Sequence, residues 1–265
     1  MKFKSALILI LVSLTLPACS LFKKKTSEPV AKTKSGITEP VNIIDVGQRP
    51  HLTITPNTSG RELTLAIAAI NKSATEAEYE LEYQSGDLLL GAFGSFDIDT
   101  AKLPLTKDIL LGSCSAGGSC TYHENVQGGT LTMKFSGGDD TYAIKTEWRF
   151  IPTKGASGLF SSRDSKFQMN AGKLLDTSGF VIVMDTSGLP ATIEGELLSE
   201  PYGLYPASGL PKKGTAELKI RLKEDVTSAT IHGYDGTKWV SFDTTVADKT
   251  ASATVDFFPA YIVTK

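Results

Sequence analysis

The sequence predicts an all-β protein built from two antiparallel β-sandwich domains, and three observations carry that prediction. Apolar and polar residues alternate strictly over several short stretches, the mark of strands with one buried face. Clusters of Gly, Asn, Asp, Ser and Pro separate those stretches as turns. Strand-rich halves of about 110 residues each fit two sandwiches better than one large barrel.

The elements follow in order. Glu62–Ile70 reads as a strand with Leu63, Leu65 and Ile67 inward, although the Ala-rich stretch Ala66–Ile70 also fits a helix. Asn71-Lys72-Ser73 is the turn that would pair it with the next strand. In Ala74–Gln84, Ala77, Tyr79, Leu81 and Tyr83 fall on one face and Glu76, Glu78, Glu80 and Glu82 on the other. Four like charges along one strand repel, so that face reads as solvated and unfriendly to sheet-on-sheet aggregation. Thr130–Phe135 and Thr141–Ile151 form the clearest hairpin, across Gly137-Gly138-Asp139-Asp140. The shared parity of Trp148 with Tyr142, Ile144 and Phe150 places it in the core.

Residues 46–153 therefore read as an immunoglobulin-like sandwich, and Pro152–Gly158 as a domain boundary or a turn between sheets. Residues 154–265 repeat the strand grammar. Phe180–Met184 is continuously apolar, as a strand buried on both faces should be. Ala216, Leu218, Ile220 and Leu222 alternate with Glu217, Lys219, Arg221 and Lys223. Thr227–Tyr234 and Lys238–Phe242 flank an Asp235-Gly236 turn, a strong hairpin signal. Ala251, Ala253, Val255 and Phe257 alternate before Tyr261-Ile262-Val263 ends the chain.

Several strings of this half occur in an informative order: Glu200–Pro206, Ala216–Ile220, Tyr234-Asp235-Gly236-Thr237-Lys238-Trp239 and Phe258–Val263. Together they resemble the ZU5-type β-sandwich of bacterial surface proteins, over residues 160–265. Some members of that family cleave themselves at a His-Phe-Ser string. The corresponding Phe257, Phe258 and Pro259 lack both base and nucleophile, so the resemblance implies no self-cleavage here.

The N-terminus predicts location. Lys2 and Lys4 precede an apolar run from Ala6 to Leu16 that closes in Leu16-Pro17-Ala18-Cys19, the order of a secretory signal peptide. That string resembles a bacterial lipobox, with Pro17 as a departure from its pattern. The resemblance implies cleavage after residue 18 and diacylation of Cys19, which would hold the protein to the cell membrane or outer membrane, facing an extracytoplasmic compartment. Ser20, standing where an inner-membrane retention signal carries Asp, points to the outer membrane in a two-membrane cell. The apolar run falls short of the roughly 20 residues a spanning helix needs, so attachment rests on acyl chains. Residues 19–45, rich in Lys, Thr, Ser, Pro and Glu, read as a disordered tether with a reach of about 25–30 Å. Lys23, Lys24 and Lys25 beside the anchor serve either as a spacer or as an attraction to anionic headgroups.

Without residues 1–18 the chain carries 25 basic residues against 29 acidic ones, which excludes a broadly basic nucleic-acid binder. With Cys19 assigned to lipid, Cys114 and Cys120 remain as a pair, and in an oxidising compartment they read as one disulfide. So small a ring contributes about 2 kcal/mol and stiffens a hairpin. Cys-x5-Cys-x2-His, ending at His123, is no usual zinc spacing. Asp97-Ile98-Asp99 and Asp139-Asp140 could offer oxygens to calcium but lack EF-hand spacing.

No nucleophile elbow, Ser-x-x-Lys, His-Glu-x-x-His or phosphate-cradling loop is present, and His51, His123 and His232 lie far apart. Nothing in these motifs asks for a cofactor. Tyr202 and Tyr205, in the Pro- and Gly-rich stretch Glu200–Pro211, are the candidates for exposed aromatics at a ligand; Trp239, after a hairpin turn, is a weaker one. The expected role is binding, adhesion or scaffolding at the cell envelope without catalysis, with other surface proteins or envelope polysaccharide as partners. A carbohydrate- or peptidoglycan-binding module and an envelope hydrolase or enzyme-complex subunit are the alternatives.

Overall fold

The computed structural model describes residues 36–265. The predicted signal peptide, Cys19 and most of the tether lie outside them. The first half supplies β1 (His51–Pro56), β2 (Glu62–Ala69), β3 (Glu76–Ser85), β4 (Leu88–Asp97), β5 (Leu105–Leu110), β6 (Gly112–Cys114), β7 (Cys120–Tyr122), β8 (Val126–Ser136) and β9 (Tyr142–Pro152). The second half supplies β10 (Leu159–Ser161), β11 (Phe167–Asn170), β12 (Phe180–Asp185), β13 (Tyr202–Pro206), β14 (Thr215–Arg221), β15 (Thr230–Tyr234), β16 (Trp239–Phe242), β17 (Thr245–Ala247), β18 (Thr250–Asp256) and β19 (Ala260–Thr264). Among the described residues the helical elements are two short 3-10 turns, Val46–Gln48 and Thr100–Lys102, and no helix is long and apolar enough to cross a membrane.

The all-β class holds, in antiparallel sheets. The largest has nine strands in the order β16-β15-β19-β13-β12-β9-β8-β3-β4. A three-stranded sheet, β1-β2-β5, packs on one part of it, and a five-stranded sheet, β10-β11-β14-β18-β17, on another. The disulfide hairpin β6-β7 stands as a separate pair.

Two hydrophobic cores result, and β12 belongs to both. Its Ile182 and Met184 enter the core built by Leu63, Leu65, Leu81, Met133 and Trp148. Val181 and Val183, on the opposite face, enter the core built by Phe167, Leu218, Val255 and Tyr261. A strand buried on both faces needs an unbroken apolar run, and Phe180–Met184 supplies one.

The predicted boundary after residue 153 is corrected by the pairing of β9 with β12, which carries the sheet across it. Ser35–Lys265 is one compact unit, so the two sandwiches share a sheet and are not separate domains. Pro152–Gly158 is the turn between sheets that its composition also allowed.

A second correction concerns β2. It is a strand throughout, but it pairs with β1 and β5, not with β3. The turn at Asn71–Ser73 carries the chain from one layer to the other, so Leu63, Leu65 and Ile67 meet Ala77, Tyr79 and Leu81 face to face across the core. The partners of β3 are β4 and β8.

A third correction concerns residues 36–45, expected as free tether. They are fastened to the outer face of the large sheet. The Gly36 amide donates to Glu80 on β3, and Lys134 on β8 pairs with Glu39 at 3.0 Å. Asn42 clasps β9, its amide donating to the Ala143 carbonyl (2.9 Å) and its side-chain oxygen accepting from the Lys145 amide (2.9 Å).

Candidate binding surfaces

The five-stranded sheet covers one face of the large sheet only from β12 onward. Residues 36–45 lie on the outer face of β9, β8 and β3 at one end, and the end that carries Gln84, Gly128 and Arg149 is left bare. A step forms where the covered part begins. Its floor is the bare face and its wall is the end of β10 with the turn that follows, and Arg149 Nη1 ties the two together by donating to Ser161 Oγ at 2.6 Å.

A groove of about 910 Å³ opens at this step, lined by Gln84, Asn125, Gln127, Arg149, Pro152 and Arg163 among others. Two local devices make it. The register slips between Gln84, which faces Gly128, and Ser85, which faces Val126, leaving Gln127 as the extra residue of a β-bulge. Bulges re-aim a side chain, and this one delivers Gln127 to the groove. Gly128 lies between Gln84 and Arg149 in the cross-strand row and has no side chain to fill the space. Its φ of +104° suits glycine, and a Cβ there would meet the Trp148 carbonyl oxygen at 2.3 Å.

A smaller cleft of about 80 Å³ adjoins it, bounded by Thr146, Glu147, Arg163, Asp164, Asp185 and Tyr202. Burial pushes the Asp185 carboxyl up to about 7; the Ser187 amide, donating to it at 2.7 Å, works against that. Burial also raises Asp164, but hydrogen bonds from Ser162, the Lys166 amide and Tyr202 outweigh it and leave that carboxyl lowered. The neighbouring Glu200 is held by Arg49 (3.1 Å) and Lys223 (2.9 Å).

The other surface feature is β4, an edge strand of the large sheet. From Leu88 to Phe96 it carries no charge and no proline, and its pairing with β3 has no bulge. Phe93 is 86 % exposed, with Leu88 and Leu89 near 60 %. Edges of this kind are ordinarily guarded by Lys, Pro or a bulge, because their free backbone groups invite another strand. The sequence does not mark β4 as a strand, because its apolar residues follow no period of two.

The expected aromatic contact surface is corrected. Tyr202 is 1 % exposed and Tyr205 8 %. Tyr202 packs its ring on Phe167 and donates its hydroxyl to Asp164 at 3.0 Å. Tyr205 turns into the first core over Gly203, because β13 is an interior strand between β12 and β19. Burial raises both phenols. Trp239 is half-buried, edge-on to Tyr234, and its indole donates to the Ala191 carbonyl at 3.2 Å. Trp148 is fully buried, as its parity predicts. The bridge between Cys114 and Cys120 is present and closes the β6-β7 hairpin.

The histidines do not converge. Buried His51 meets the Gly188 carbonyl at 3.1 Å, and burial lowers it to about 4. His123 meets the Tyr83 hydroxyl at 2.9 Å. His232 sits between Thr264 (2.9 Å) and Ser241 (3.1 Å), a cross-strand arrangement in which its second nitrogen meets a hydroxyl, so the orienting carboxylate of a triad is not the group placed there. Asp99 pairs with Lys102 and Asp140 with Lys72, and among the described residues no cluster of three or more metal-ligating side chains forms. A scan against family models, a search of curated proteins and a search of solved structures each returned no match.

Proposed function

We propose that the chain is a lipid-anchored cell-envelope protein with a non-catalytic binding or scaffolding role, taking up an extended segment of another surface protein by strand addition on β4. The observation that carries the binding role is that edge, uncharged and without proline or bulge from Leu88 to Phe96. A strand laid along it would gain main-chain hydrogen bonds, with the exposed Leu89 and Phe93 giving side-chain contact. The signal and lipobox string supports the anchored location, and the disulfide is in keeping with an oxidising compartment. The separate surroundings of the three histidines favour binding over hydrolysis.

A photo-crosslinking amino acid placed at Phe93 tests the role in the producing cell, with one at exposed Glu217 as control. A discrete protein adduct from Phe93 alone is expected; equal adducts from both positions, or none from Phe93, overturn strand addition. Cys19→Ala tests the anchor separately: the protein should move from the membrane to the soluble fraction, and retention in the membrane contradicts lipidation.

A further inference from the structure

We infer that the groove at the step is a binding site for a saccharide chain carrying an oxyanion, a carboxylate or a phosphate. Two guanidinium groups, those of Arg149 and Arg163, line it, and no Asp or Glu does. Glu147 approaches Arg163 only to 3.9 Å, from the side of the smaller cleft, so Arg163 is weakly paired. Arg149 is held by a neutral hydroxyl, that of Ser161, which fixes the guanidinium without spending its charge. A planar guanidinium presents a fork of donors matched to a carboxylate or phosphate.

Three carboxamides, Gln84, Asn125 and Gln127, complete the polar lining. Each amide offers donors and an acceptor, the complement of a hydroxyl group that also does both. The volume of about 910 Å³ lies at the upper end of the roughly 300–1,000 Å³ typical of small-ligand sites, and the groove is open to solvent, so a chain can pass through it. Phe150 touches the groove but is only 6 % exposed, so stacking on an aromatic platform is not how a sugar is held here. Recognition by charge and amide pairing makes the site sensitive to salt. The β-bulge at Gln127, with Gly128 at positive φ beside it, is a sign of a shaped site, since it breaks the regularity of an otherwise plain antiparallel ladder.

The test uses residues 36–265, which lie within one compact unit. Isotope-labelled protein is titrated with a hyaluronan hexasaccharide (carboxylate), a glycerol-phosphate oligomer (phosphate) and an N-acetylglucosamine hexamer (neutral). Amide shifts centred on Gln84, Gln127, Arg149 and Arg163 with one or both charged probes are expected, and the stronger probe identifies the oxyanion. Arg149→Gln should weaken that binding about tenfold or more. Lys223→Gln, outside the groove, should leave it unchanged. Both side chains are solvent-facing, and an unchanged spectrum of the free variants establishes that they fold. Equal binding of the neutral hexamer, shifts centred elsewhere, or no response to either charged probe overturns the inference.

Discussion

Asp185 shows how one residue can tie stability to pH. Its carboxyl rises from an ordinary 3.8 to about 7 because burial penalises the charged form, with Glu200 and Asp164 adding like charge and Arg49 opposing them. Between those two values the folded protein holds a proton that the unfolded chain has released. Stability from this group is therefore present at low pH and is lost as pH rises toward 7. Asp185→Asn keeps an oxygen for the Ser187 amide and removes the titration. In urea unfolding at pH 4.5 and 7.5 the variant should gain stability relative to the native chain at the higher pH. An identical difference at both pH values would mean that the carboxyl titrates as an ordinary one. Little of this was legible beforehand: Asp185 ends an apolar run, and only the fold brings Tyr202, Asp164 and Glu200 around it. The sequence misplaces Tyr202 and Tyr205 for the same reason. Pro and Gly beside Tyr202 and Tyr205 imitate a loop, whereas the flanking strands β12 and β19 make the segment an interior strand.

Among the elements, the disulfide hairpin is the most self-contained. β6 and β7 pair only with each other, outside both cores. Cys114→Ser should lower global stability by about 2 kcal/mol or less. Amide hydrogen exchange should quicken across Gly112–Tyr122 and stay unchanged in β3 and β8; loss of protection throughout would show that the hairpin braces the sandwich. The sequence made β3, β8, β9, β12, β14 and β18 readable, because each has one face or both faces fully committed and so carries a clean period of two or a solid apolar run. It hid β1, β4 and β5. β1 alternates Leu52 and Ile54 with Thr53 and Thr55 over only six residues and ends in a proline, β5 is largely exposed, and β4 turns apolar residues to solvent. The edge strand and the groove, where binding is proposed, thus depend on features that local alternation does not encode: a sheet terminus, a bulge and the unequal width of two layers.

At the scale of the molecule, the shared sheet decides how the protein unfolds. The first core is closed by Ile182, Met184 and Tyr205 from the second half, so residues 36–153 alone would leave β9 as a raw edge and that core open. The chain has two tryptophans, Trp148 in the first core and Trp239 packed beside Ile262 in the second half. In the single-tryptophan variants Trp239→Phe and Trp148→Phe, each fluorescence midpoint in urea should coincide with that variant's own circular-dichroism midpoint. Separate midpoints would mean that the two sandwiches come apart independently.

The way residues 36–45 lie on the sheet has a mechanical consequence. Force arriving from the N-terminal side meets Gly36 on Glu80 first, then Glu39 on Lys134, then Asn42 on β9. These attachments are loaded one after another, not in parallel, so the segment peels like adhesive tape and pays out about 30 Å of slack before the load passes to the chain beyond residue 45.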